Sequence, residues 1–117
     1  MRVITDLKLD QKSRILSLTL DGGRVIDLSC EYLRVFSPSA EVRGHGPGQE
    51  VLQTGKEMVN IAAIEPVGNY AARLVFSDGH DTGIYAWKFL LELAENKDAN
   101  WKDYLASLDE AGIKRKE

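Results

Sequence analysis

Between residues 70 and 91 apolar side chains first alternate with polar ones and then recur at helical spacing. That switch from a period of two to one of 3.6 restricts the fold more than any other feature. Tyr70, Ala72, Leu74 and Phe76 alternate, Asp78-Gly79 turns the chain, Ile84 and Tyr85 return it, and Trp87 opens a helix. The same grammar stands earlier. Leu16, Leu18 and Leu20 alternate with Ser17 and Thr19, Asp21-Gly22-Gly23 supplies the residues a hairpin turn requires, and residues 25–28 return. Ser29 then caps a short helix bearing Glu31, Tyr32, Leu33 and Phe36, which Ser37-Pro38 ends. An offset of 57 residues sets Asp21 on Asp78, Gly22 on Gly79, Leu28 on Tyr85, Tyr32 on Phe89 and Leu33 on Leu90. Duplication and independent use of common hairpin grammar both account for this match. Either predicts an α+β fold, mainly antiparallel, built from two ββα-like units around one core.

Residues 43–57 join the units as a long loop, with glycine at 44, 46 and 48 removing side chains that would order it. Residues 58–67 read as a strand through Val59, Ile61 and Ala63, closed by Pro66 and Gly68. Two C-terminal helices pack on the core. Trp87, Leu90, Leu91 and Ala94 form one stripe, and Asn100 caps a last helix whose stripe is Trp101, Tyr104, Leu105 and Leu108. Phe76, Ile84, Trp87, Leu90, Trp101 and Leu105 are the expected core.

The 117 residues predict a single domain, 1–117, large enough to bury a core. Fifteen basic and eighteen acidic residues give a net charge of −3, which is no footprint for nucleic acid, and Lys114-Arg115-Lys116 reads as a solvated tail. Cys30 is the only cysteine, so one chain makes neither an internal disulfide nor a cysteine-rich metal nest. No apolar run approaches the ~20 residues that span a bilayer, and the N-terminus lacks the apolar core of a signal peptide. A soluble cytoplasmic protein is expected; oligomeric state is unreadable.

His80 is the leading candidate for chemistry. Asp78 and Asp81 flank it in a turn, where a carboxylate orients an imidazole or raises its pKa. The alternative is an outward-facing turn residue that does nothing more. His45, between two glycines, reaches His80 if the loop folds over, and Glu41, Asp78 and Asp81 complete an N/O ligand set suited to zinc, iron or manganese. The spacing has no facial triad of two histidines and a carboxylate, because Pro47 and Thr82 stand where the acid would be. It also has no nucleophile elbow, no P-loop and no dinucleotide fingerprint. Cys30 reads as structural. No catalytic constellation emerges, and no enzyme is predicted.

Leu33-Arg34, Ser37-Pro38-Ser39-Ala40-Glu41, Gly44-His45, the run from Val67 through Gly68-Asn69-Tyr70 to Ala71, and the run from Phe76 through Asp78-Gly79-His80-Asp81 to Trp87 together resemble small bacterial proteins related to the N-terminal domain of gamma-butyrobetaine hydroxylase. In the hydroxylases that domain is a zinc-bearing accessory module ahead of a catalytic oxygenase barrel, which this chain lacks. The resemblance places the zinc cysteines at Ser37, Ser39 and Val42 and the histidine at His80. Three of four ligands are therefore replaced, and an alternative set of His80, His45 and carboxylates stays open. Similar domains occur joined to Mrp-type P-loop ATPases that carry iron-sulfur clusters. The resemblance thus implies a non-catalytic accessory or adaptor docking onto such an ATPase or its client, through the loop after Gly44 and the His80 turn. The rival is a small iron- or zinc-binding protein centred on His80. A third reading is an oxygenase remnant that pairs with a separate catalytic chain.

Overall fold

The computed structural model describes residues 3–44 and 50–115. Among them lie two three-stranded antiparallel sheets and four helices, an α+β fold. The order is β1 (Ile4–Asp10), β2 (Ile15–Leu20), β3 (Val25–Ser29), α1 (Cys30–Val35), α2 (Ala40–Arg43), then β4 (Ile61–Val67), β5 (Ala71–Phe76), β6 (Ile84–Ala86), α3 (Trp87–Glu95) and α4 (Lys97–Glu110). Strands run β1-β2-β3 in one sheet and β4-β5-β6 in the other. No described helix is long and apolar enough to cross a membrane.

The two halves repeat element for element. Ile4 and Ile61 open matching strands, Cys30 and Trp87 open matching helices, and Ala40 and Lys97 open the next pair, each 57 residues apart. The register shift between Ile4 and Asp6 recurs between Ile61 and Ala63 at the same offset. Gly22 and Gly79 sit in the left-handed region at φ 88° and 89°. Shared hairpin grammar explains matching turns, whereas a matching bulge and two matching helix starts favour duplication. Each half is βββαα.

Leu16, Leu18, Leu20 and Leu28 from one sheet meet Ile61, Leu74, Phe76 and Tyr85 from the other, with Tyr32, Leu33 and Leu90 from α1 and α3, in one buried cluster. Each such side chain contributes about 1.5–3 kcal/mol on burial. Two phenols stitch the halves together: Tyr32 Oη donates to the Leu93 carbonyl and Tyr85 Oη to the Leu33 carbonyl, each at 2.6 Å.

Phe76 and Leu90 lie in the core as expected, and Trp87 and Trp101 pack half-buried against it. Ile84 and Leu105 do not, being 46% and 39% exposed. Tyr85 pairs with Ala72 and Ile84 with Arg73, so Tyr85 takes the inward face of Ala72, Leu74 and Phe76. Tyr70 falls before β5 and is exposed. In α4 only the stripe of Trp101, Tyr104 and Leu108 meets Val35 and Phe36, which leaves Leu105 on its flank. This helix starts at Lys97, directly after Asn96, and Asn100 is not its cap; its amide donates to Tyr32 Oη at 3.0 Å instead. Pro66 continues β4 opposite Ala72, at a sheet edge where a missing amide hydrogen breaks no ladder bond. Neither β1 nor α2 was expected from the sequence.

Candidate functional site

Ser29 caps α1 by accepting the Tyr32 amide at 3.0 Å, and the chain leaves that helix at Phe36. Ser39 then caps α2, accepting the Glu41 amide at 3.2 Å. This corner lies against the segment between β5 and β6. Gly83 makes the approach feasible, since a Cβ there would stand 2.6 Å from Ser37 Oγ.

His80 is neither an outward-facing ligand nor a solvated turn residue. Its side chain is 2% exposed, and both ring nitrogens are engaged: Nε2 lies 2.9 Å from Ser37 Oγ and Nδ1 3.0 Å from Glu41 Oε2. Burial lowers its pKa, with the Arg34 cation adding to the effect and Glu41 and Asp78 opposing it. The neutral tautomer follows from the partners: a carboxylate only accepts, so Nδ1 carries the hydrogen and Nε2 accepts from the Ser37 hydroxyl. Ser37 Oγ also accepts the Ser39 amide at 3.2 Å, and Ser39 Oγ meets Thr82 Oγ1 at 2.7 Å.

Carboxylate, imidazole and hydroxyl in series are the components of a hydrolase triad, but the exposure runs the wrong way. Ser37 is wholly buried while Glu41 is 62% exposed, so the would-be nucleophile is sealed and the orienting acid faces water. Gly83 packs so closely on Ser37 Oγ that even a methyl group there would stand 2.6 Å away.

The other predicted ligands point to cations. Asp78 Oδ2 takes Arg34 Nε at 2.9 Å and Lys56 Nζ at 2.6 Å, and Oδ1 accepts the His80 amide. Burial pushes the Asp78 carboxyl up, but these bonds outweigh it and hold its pKa at about 2. Asp81 faces Arg73 at 3.5 Å. His45 lies outside the described residues. Among the described residues no three His, Cys, Asp or Glu side chains converge as metal ligands.

The zinc implied by the hydroxylase resemblance does not fit this chain. Ser37 and His80 do meet, but Ser37 and Ser39 offer neutral hydroxyls already bonded to one another's neighbours, and Val42 offers only a buried aliphatic side chain. The resemblance was the one signal that joined Ser37 to His80. Nothing in the spacing indicated Thr82, Gly83 or the buried Arg34.

Beside Ser37 opens a cleft of about 780 Å³ between α1, α2, residues 50–53 and α4, with Val35, Phe36, Val42, Val51, Leu52 and Tyr104 as its apolar lining. Its far wall is tied down: Tyr104 Oη donates to the Gln53 carbonyl at 2.7 Å and Arg34 Nη1 to Gln53 Oε1 at 3.0 Å. Burial, with nearby Glu31 and Glu57, pushes the Tyr104 phenol up to about 12, so it remains a donor. Val51 and Leu52, 53% and 39% exposed, form the lip.

A model of the family described as "Gamma-butyrobetaine hydroxylase-like, N-terminal" matches residues 7–91. No curated protein matches significantly. Two solution NMR structures are similar: one at 56% identity and TM-score 0.81, covering 98% of this chain and 86% of that one, the other at 48% and 0.84, covering 98% and 90%. A crystal structure of a protein of unknown function of the DUF971 family, from Acidithiobacillus ferrooxidans ATCC 23270, is 34% identical with TM-score 0.64, covering 78% of this chain and 91% of that one.

Proposed function

Because this chain belongs to the gamma-butyrobetaine hydroxylase-like N-terminal family, we propose that it acts as a non-catalytic accessory module that docks onto a protein partner. The observation that carries this reading is the inverted exposure of the Glu41–His80–Ser37 series, which closes the most reactive constellation to substrate and leaves an open apolar cleft next to it. An anchored rim around an apolar floor suits the insertion of a partner's aliphatic or aromatic side chain. The partner implied by the family resemblance is an Mrp-type P-loop ATPase that carries iron-sulfur clusters, or one of its clients. The cleft lip and the Asp78-Gly79 turn are the surfaces we assign to that contact.

The test is titration calorimetry of the purified protein against a purified Mrp-type ATPase, with Val51→Asp and Leu52→Asp as lip variants. Both positions are exposed, so the variants should keep their thermal midpoints while affinity falls on the order of tenfold or more, as for loss of one or two anchor contacts. Absence of binding by the wild type, or binding that neither variant weakens, would refute the docking assignment. Ester or amide turnover abolished by Ser37→Ala would refute the non-catalytic reading.

A further inference from the structure

We propose that Ser37, His80 and Glu41 form a proton-sensitive clasp, which fastens the α1–α2 corner to the segment between β5 and β6 while the imidazole is neutral and loosens when it takes up a proton. The clasp bridges the two halves of the chain, with Ser37 and Glu41 43 and 39 residues from His80. It has no counterpart at the other end of the repeat. At the offset of 57, Gly23 stands for His80 and Ala94 for Ser37.

With the ring neutral, every donor has an acceptor. Nδ1–H donates to Glu41, the Ser37 hydroxyl donates to Nε2, and Ser37 Oγ accepts the Ser39 amide. A proton on Nε2 turns that atom into a donor. Ser37 Oγ then faces two N–H groups, and its own hydrogen must leave the ring for a new acceptor in a fully buried site. The adjacent phenol is Tyr85, which donates to the Leu33 carbonyl and whose oxygen is left to accept the displaced Ser37 hydrogen. Protonation therefore reverses the Nε2–Ser37 bond, turns the Ser37 hydroxyl toward Tyr85 and places a charge on a ring that is almost wholly removed from water.

The charged groups around the ring come from every element packed on it. Arg34 of α1 opposes the extra proton; Glu41 of α2 and Asp78 of the turn favour it, but Asp78 is shared by Arg34 and Lys56. Desolvation, the largest influence, favours the neutral ring. Since Ser37 also lines the cleft, loosening reaches that surface.

The test is an NMR pH titration of the His80 ring nitrogens in the intact wild-type protein and in Glu41→Gln, with chemical denaturation of wild type and His80→Gln across the same range. The expected results are an Nδ1–H tautomer at neutral pH, a His80 pKa below the ordinary ~6.5, and a lower value still in Glu41→Gln. The wild-type denaturation midpoint should fall from pH 7 to 5 and that of His80→Gln should stay level. Glu41 is mostly exposed, so its variant should fold even if His80→Gln does not. An Nε2–H tautomer, a His80 pKa at or above the ordinary value, or no response to Glu41→Gln would overturn the clasp, as would equal midpoint losses in wild type and His80→Gln.

Discussion

Leu90 and Leu105 carry the same side chain at comparable positions of helical stripes, yet one is fully buried and the other 39% exposed. Leu90→Ala should therefore cost about 2–5 kcal/mol and Leu105→Ala less than about 1 kcal/mol in denaturant unfolding. Equal losses would mean that α4 packs through a different face. Gly83 is a second residue-scale case, because its constraint is crowding and not backbone conformation. Gly83→Ala would push a methyl group to 2.6 Å from Ser37 Oγ, and the corner should open with a loss of about 1–3 kcal/mol by the same measurement. His80 was legible as the residue to watch, from its flanking aspartates and its place in the turn. Its burial was not, because Asp78-Gly79-His80-Asp81 has the composition of an exposed turn. Only the packing of a segment some forty residues away covers it.

At the scale of elements, the hairpins, their glycine turns and the cap of α1 were readable, because each is decided within a few residues of chain. Ser29→Ala should cost about 1 kcal/mol, since one amide of the first turn loses its acceptor. β1 escaped notice for a local reason: the register shift between Ile4 and Asp6 breaks the alternation of Ile4, Leu7 and Leu9. α2 escaped because four residues carry no periodicity. Asp78 ties its own turn to α1 and to the segment before β4 through Arg34, Lys56 and the His80 amide. Its folded pKa of about 2 lies below the ordinary aspartate value of 3.8, so its contribution is complete above about pH 4 and disappears as pH falls towards 2. Asp78→Asn should flatten the acid limb of a stability-against-pH curve in that window and, because Asp78 also favours the protonated His80 ring, carry the His80 limb to lower pH.

At the scale of the whole molecule, a core contributed by both halves means that neither βββαα unit buries its own apolar face alone. The crossed phenol bonds from Tyr32 and Tyr85 make the dependence mutual. Because hydroxyls and an aliphatic side chain occupy the three cysteine positions, the fold should not rest on zinc. A chelator should leave the thermal midpoint unchanged, and added zinc should not raise it by mass action; a shift of several degrees either way would restore a metal reading. The sequence alone determined the fold class, the two hairpin-and-helix units and their 57-residue offset, because alternation, turn glycines and caps act over distances of a few residues. Tertiary structure alone decided that Tyr85 and not Ile84 points inward, that Leu105 faces out, and that His80 is a buried link between Ser37 and Glu41. Those outcomes depend on which faces meet across the two halves, and residues so far apart along the chain exert no force on one another until the core has brought them together.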